Sequence, residues 1–284
     1  MKRIITVLLL VSVLCFSLAS CGSGDLQFLS GKTDITYKIQ DGEATVTRVP
    51  NKSTITGIVI PDEYEGVPIT KIADFSAANL EYVTEIYIGK NVREISDWAF
   101  GNSKRITKFD VDDNNPYICD VDGVIYTMDM KTILFYPAQR GVVSDKDKNG
   151  NEVKSISYEI PEGVETIRSK TFYKCSDLKQ ITLPSTLKTI EEKAFFLCDL
   201  KEIVLPEGLE TIGKDAFGFC SSLKEVTVPA SVTRIDEYAF YSCTSMLEVN
   251  MLGKESDMIL GKKWYPTNNG ASLGDELVIN WSEK

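Results

Sequence analysis

Four cysteines carry the most regular chemistry in the chain: Cys175, Cys198, Cys220 and Cys243 follow one another at spacings of 23, 22 and 23 residues. Evenly spaced thiols could ligate a metal, but cysteine metal clusters draw on CxxC-type pairs that converge on one point, whereas these recur singly. The pattern predicts buried, reduced thiols that act as small core hydrophobes. Neighbouring pairs could oxidise in an exported protein, yet with Cys119 the cysteines beyond Cys21 make an odd set. There is no histidine, which excludes imidazole proton transfer, Ser-His-Asp or Cys-His nucleophile activation and histidine ligation of metals. Carboxylate, lysine and tyrosine chemistry stay open. No carboxylate pair, activated nucleophile or phosphate loop stands out among them, so neither catalysis nor a cofactor is expected.

Asp145, Asp147 and Asn149, followed by Gly150, place oxygens at alternate positions ahead of a turn glycine, as a calcium loop does. The match fails at Ile156, where a bidentate glutamate is needed, and an Asn-Gly hairpin turn accounts for the same residues. Asp110, Asp112 and Asp113 are read in the same way, as turn-forming carboxylates. No metal is expected.

The elements that would position these side chains begin after a leader. Residues 1–20 join Lys2 and Arg3 to an apolar run too short for a membrane span, the pattern of an export signal. Its end, Leu18-Ala19-Ser20-Cys21, resembles the lipobox of bacterial lipoproteins, which implies cleavage before Cys21 and a lipid on its sulfur. Two or more acyl chains there would hold the protein stably on a bilayer. Residues 21–33 open with Gly22-Ser23-Gly24-Asp25, a flexible tether's composition. Loss of Lys2 and Arg3 takes the formal charge from −10 to −12, which repels nucleic acid and bare anionic membrane alike.

Beyond the tether the chain repeats itself. Residues 158–180, 181–202, 203–225 and 226–248 align, with Pro161, Pro184, Pro206 and Pro229 at matching places. Four further ladders move with the prolines: Val164, Leu187, Leu209, Val232; Ile167, Ile190, Ile212, Ile235; Phe172, Phe195, Phe217, Phe240; and the four cysteines. An earlier copy, residues 86–108, keeps Val92, Ile95 and Phe100 but has Gly89 for proline and Ser103 for cysteine. Each copy reads as a short strand of alternating polarity ended by proline, a second extended piece, and a short helical turn such as 191–198 with Ala194, Phe195 and Cys198 inward. One copy holds too few apolar side chains to bury alone. Stacked copies shield each other, each buried Phe or Ile contributing roughly 1.5 to 3 kcal/mol.

This phrase, (I/V)xxPxx(V/L)xxIxxxxFxxCxxL, resembles the BspA-type leucine-rich repeats of bacterial surface proteins across residues 34–252. The resemblance extends to 109–137, whose NPxY, DGVIY and LxxYP order matches a spacer between repeat blocks in such proteins. It implies a right-handed leucine-rich-repeat solenoid, β-rich with short helical turns and capped at both ends. The expected organisation is a β cap over 34–57, a solenoid over 58–252 interrupted by an irregular spacer at 109–157, and a second cap over 253–284 that includes Trp264 and Trp281. In the first copy, 58–85, an insertion and Ala77 in the phenylalanine position leave the register open.

Function then rests on faces. Outward strand positions form polar ladders: Glu85, Gln180, Glu202, Glu225 and Glu248, with Tyr87, Glu159, Thr182, Thr227 and Asn250 two residues along. Tyr173, Phe196, Phe219 and Tyr241 near the bends form a second strip. Solvation and cross-strand charge pairing would explain the first, and gap filling the second. As a contact face, either would serve a surface adhesion scaffold, monomeric and lipid-anchored at the bacterial envelope, recognising a protein or a glycan, as the resemblance implies. A structural envelope lipoprotein is the alternative, and a carboxylate-dependent enzyme a distant third.

Overall fold

The repeats wind into a β-solenoid, described by a computed structural model over residues 28–30, 35–146, 149, 152–266 and 277–282. The leader, Cys21 and the first part of the tether lie outside the described residues. Most coils contribute to two parallel columns of strands. The proline-ended strands form the first column, in separate sheets: Phe28–Ser30, Gly57–Ile60, Glu85–Ile88 and Lys108–Val111; then Glu152–Glu159 and Leu178–Thr182; then Glu225–Val228, Glu248–Met251 and Val278–Trp281. The isoleucine pieces form the second. Thr132–Phe135, Thr166–Ile167, Thr189–Ile190, Thr211–Ile212, Arg234–Ile235 and Ile259–Leu260 pair in unbroken parallel order, with Ile133, Ile167, Ile190, Ile212 and Ile235 in register.

The arc that closes each coil was expected as a short helical turn and is a run of tight turns instead. The one helix among the described residues is a single 3-10 turn, Glu255–Asp257. Two residues per arc take the left-handed conformation, four apart: Lys170 and Lys174, Lys193 and Leu197, Asp215 and Phe219, Tyr238 and Ser242, with φ between 53° and 63°. A left-handed residue every fourth position prevents a helix from propagating. The arc's N–H groups consequently alternate between i−3 bonds and bonds to the next coil. Ala194, Phe196 and Cys198 donate to Glu191, Lys193 and Phe195, while Lys193, Phe195 and Leu197 donate to Lys214, Ala216 and Gly218. Backbone donors are thus satisfied between coils where a helix would satisfy them internally.

Inside the coils the phenylalanines stack. Ring centroids of Phe172, Phe195, Phe217 and Phe240 are separated by 5.0, 5.2 and 5.2 Å with planes within 5° of parallel. Phe100 stands apart from this stack, tilted on Phe109 and edge-on to Phe135. The reason is that the interior divides in two. One core runs from Ile35 to Phe135 and the other from Val124 to Trp264.

The wall between them is the spacer. Ile118–Val121, Val124–Thr127 and Thr132–Phe135 fold as an antiparallel meander whose last strand hands on to Thr166–Ile167. Ile125, Leu134 and Phe135 enter the first core, whereas Val124, Tyr126 and Ile133 enter the second; period-2 alternation gives this two-faced use except at Phe135, where the pairing register shifts. Asn115 anchors its start. Fully buried, it donates to the carbonyls of Gly89 and Val92 and accepts from the N–H groups of Tyr117 and Ile118.

The first copy keeps the coil geometry. Its insertion becomes a hairpin, Glu63–Tyr64 against Val67–Ile72, with Gly66 at φ 78° in the turn. Thr36–Gln40 and Glu43–Arg48 pair antiparallel ahead of it, and Glu43–Arg48 joins Val67–Ile72. At the far end Trp264 is buried, its carbonyl accepting the Phe240 N–H at 2.8 Å.

Candidate binding surface

The outward polar positions fall into three short rows. Glu85 and Tyr87 face Lys108 and Asp110 of the next coil, and the Tyr87 hydroxyl donates to Asp112 at 2.6 Å. That bond and the half-burial of Tyr87 push its phenol well above the ordinary range, desolvation first. Glu159 stands opposite Thr182, and Gln180 opposite Ser157. Glu225 and Thr227 stand opposite Glu248 and Asn250, and Asn280 extends this row by donating to Glu248 and Asn250 at 2.7 and 2.9 Å.

Between the last two rows the column breaks. Residues 203–205 form no strand, Glu202 joins no row, and Val204 stands 81% exposed where its neighbours carry Glu159, Thr182 and Thr227. The cause is a missing residue. Three steps separate Cys175 from Leu178 and Cys220 from Leu223, but only two separate Cys198 from Leu200. Asp199, in the shortened turn, is held by Lys179 and Ser222 on the coils either side, and these contacts hold its carboxyl below the usual range against the opposing effect of burial.

The aromatic strip is continuous where the polar face is not. Tyr173 stacks on Phe196 at 5.5 Å, Phe196 meets Phe219 at 5.2 Å and Phe219 meets Tyr241 at 5.6 Å. Three further residues, missed by inspection of the repeat, complete it. Tyr238 lies 5.4 Å from Tyr241, Trp98 lies 4.9 Å from Tyr173, and Phe75 stacks on Trp98 at 5.8 Å. Phe75 is 63% exposed and the rest are half-buried. Two glycines after core phenylalanines make room for this ridge. A Cβ at Gly218 would lie 2.9 Å from the Phe196 ring, and one at Gly101 would lie 3.3 Å from the Trp98 ring.

The ridge crosses from one core to the other at a charged clamp. Arg168 donates to the Ile95 carbonyl at 2.7 Å and to Asp97, and its guanidinium sits 5.3 Å from the Phe135 ring centroid. Lys170 reaches Asp97 at 3.3 Å and lies 5.0 Å from the centre of the Trp98 ring. Beside the clamp is a cleft of about 70 Å³, lined in part by Trp98, Lys104, Pro137, Lys170, Tyr173 and Lys174.

The cysteine ladder belongs to the interior. Cys175, Cys198, Cys220 and Cys243 are buried and unbonded to one another. The thiols of Cys198, Cys220 and Cys243 donate to the carbonyls of Phe172, Phe195 and Phe217 at 3.0 to 3.1 Å. Ser103 makes the same bond to the carbonyl of Ala77 at 2.9 Å, which explains why serine can stand in for cysteine there. Desolvation pushes Cys175 and Cys243 up to about 12, and Cys198 and Cys220 well above the ordinary thiol. Such thiols are poor nucleophiles and poor metal ligands.

In the calcium candidate, Val143–Lys146 pairs antiparallel with Glu152–Glu159, and Asn149 lies exposed in the connecting turn. Asp147 lies outside the described residues, as does the side chain of Asp145. Among the described residues no cluster of three or more Cys, Asp or Glu side chains is arranged to hold a metal.

Comparison with known proteins bears on the repeat as a whole. A family model described as the BspA type leucine rich repeat region matches in six copies, over residues 51–121 and 150–259. No curated protein matches the sequence. Among solved structures, the pneumococcal vaccine antigen PcpA superposes with a TM-score of 0.61 at 20% identity, over 81% of this chain and 63% of that one. A leucine-rich repeat protein of Eubacterium ventriosum gives 0.51 at 18% identity, over 79% and 73%. This chain therefore spans less than two thirds of the PcpA chain, and at these identities the likeness is one of fold.

Proposed function

Because the chain belongs to the BspA-type leucine-rich-repeat family, we infer that it is a non-catalytic recognition scaffold, exported and held at the bacterial envelope as a monomer by lipid on Cys21, with its solenoid turned to the surroundings. Its partner is a protein or a glycan, since a net charge of −10 disfavours nucleic acid.

The aromatic ridge carries this reading. Seven rings line up over two separate cores and stay partly in water, although six links of ring contact join them. Large aromatics supply much contact area at little entropic cost, which is why they anchor interfaces. The polar strand face offers only short rows, interrupted at Val204.

Arrays of surface proteins and glycans probed with the purified lipid-free protein would test it. The Phe75→Ala, Tyr241→Ala double variant should keep the parent's circular dichroism and lose about tenfold or more in affinity for any captured ligand. Binding that survives this variant but falls with Glu225→Gln, Glu248→Gln would move the site to the strand face. An absence of any ligand, together with a stable complex with another envelope protein, would favour a structural role.

A further inference from the structure

The clamp between the two cores has a chemistry distinct from the rest of this acidic molecule. Of the charged side chains lining the cleft, Lys104, Lys170 and Lys174 are cationic and Asp97 alone is anionic. Asp97 is already engaged by Arg168 and Lys170. Lys104 and Lys174 pair with no carboxylate among the described residues, and Lys174 lies 5.2 Å from the centre of the Tyr173 ring. Four cations around one already engaged carboxylate make the cleft locally positive in a chain of net charge −10, with Asp74, which accepts the Trp98 N–H, and Glu192, near Lys170, outside its lining.

The rings around the cleft reinforce this sign. Trp98 has Phe75 stacked at 13° and the Lys170 ammonium over its ring, and Tyr173 has Phe196 stacked at 8° and Lys174 over its ring. With a stacked ring and a cation on each, Trp98 and Tyr173 offer a ligand chiefly their rims, the positive part of the aromatic quadrupole. Phe75, 63% exposed at the end of the ridge, keeps a face on which a sugar could stack, so a carbohydrate is one arm of the test. The cleft's volume of about 70 Å³ has room for a few water molecules or one carboxylate side chain.

Resting on the scaffold reading above, we propose that the junction cleft receives a glutamate or aspartate side chain of an extended acidic segment of a protein partner, with the partner's neighbouring apolar side chains lying along the rims of Phe75, Trp98, Tyr173 and Phe196. Lys104 and Lys174 hold the carboxylate, and Arg168 and Lys170 keep Asp97 from competing for it.

Three probes separate the possibilities: a fluorescent peptide carrying two glutamates between leucines, the same peptide with glutamines, and polygalacturonate as a carbohydrate polyanion. The glutamate peptide should bind about tenfold or more tightly than the glutamine peptide, and the difference should shrink as salt rises. The double variant Lys104→Gln, Lys174→Gln should abolish that preference, while Lys201→Gln, Lys224→Gln, exposed beside Glu202 and Glu225, should leave it intact. Equal binding of both peptides, no effect of Lys104→Gln, Lys174→Gln, or tighter binding of polygalacturonate would each overturn the proposal. If the peptides fail while a ligand captured on arrays still depends on Phe75 and Tyr241, the cleft assignment falls and the scaffold reading stands.

Discussion

At the scale of single residues, the ladder that looked most like chemistry is a hydrogen-bonding and packing device. A thiol fits where each coil needs a small apolar group with one weak donor, aimed at the phenylalanine carbonyl of the coil before it. Its burial has a pH consequence. The unfolded chain releases these protons near the ordinary thiol value of 9.0, whereas Cys175 and Cys243 hold theirs to about 12. Stability is therefore fully present below pH 9 and is lost as pH rises toward 12, each such thiol removing about 1.4 kcal/mol per pH unit within that window. Melting temperatures measured from pH 7 to 11 should be level at first and then fall steeply. The variant with Cys175→Ser, Cys198→Ser, Cys220→Ser and Cys243→Ser should fall less, and identical slopes for parent and variant would refute the linkage.

At the scale of the element, the coil was legible and its bend was not. Strand, proline stop and inward Ile, Phe and Cys are each fixed by residue type and spacing, so Ile190, Phe195 and Cys198 could be placed from the sequence. In the four arcs between 170 and 242 the left-handed positions hold Lys, Leu, Asp, Phe, Tyr and Ser, with none of the glycines or asparagines that announce such turns, so a helical turn was the natural expectation; Asn79 and Asn102 take such positions only in the earlier coils. The break at Val204 was written in the one 22-residue spacing, but its effect depends on how Asp199 is held across coils. Phe75 and Trp98 escaped notice because they stand before the core residue of their coil while Tyr173 and Phe196 follow theirs. Two sequence columns meet only in space. The strained arc also makes a prediction. Ser242 sits at φ 58°, so Ser242→Gly should raise stability by up to about 1 kcal/mol, and Ser242→Val, whose branched side chain resists that region, should lower it by about 1 to 2 kcal/mol. Urea midpoints in the opposite order would show that the arc is not under this strain.

At the scale of the whole molecule, a repeat protein of nearest-neighbour contacts has been divided by a meander and then rejoined on its outside. The wall strands face opposite ways into two cores, so burial alone gives the halves little reason to keep a fixed relation beyond the wall itself. The clamp supplies one. Arg168 and Lys170 come from the second half, Asp97, Trp98 and the Ile95 carbonyl from the first, and their side chains are only partly exposed. Removing the acid would leave two half-buried cations side by side on the second half without their partner across the junction, at a cost of about 1 to 3 kcal/mol. Asp97→Ala should accordingly split one calorimetric transition into two, with hydrogen exchange quickening first near 95–98 and 168–173. Asp236→Ala, which breaks an exposed pair with Arg234 on a single coil, should change stability by less than about 1 kcal/mol and leave the transition whole. Because the aromatic ridge crosses at this clamp, Asp97→Ala should also weaken a ligand that touches both halves more than one confined to residues 196–241. A single unshifted transition for Asp97→Ala would mean that the meander by itself couples the two cores.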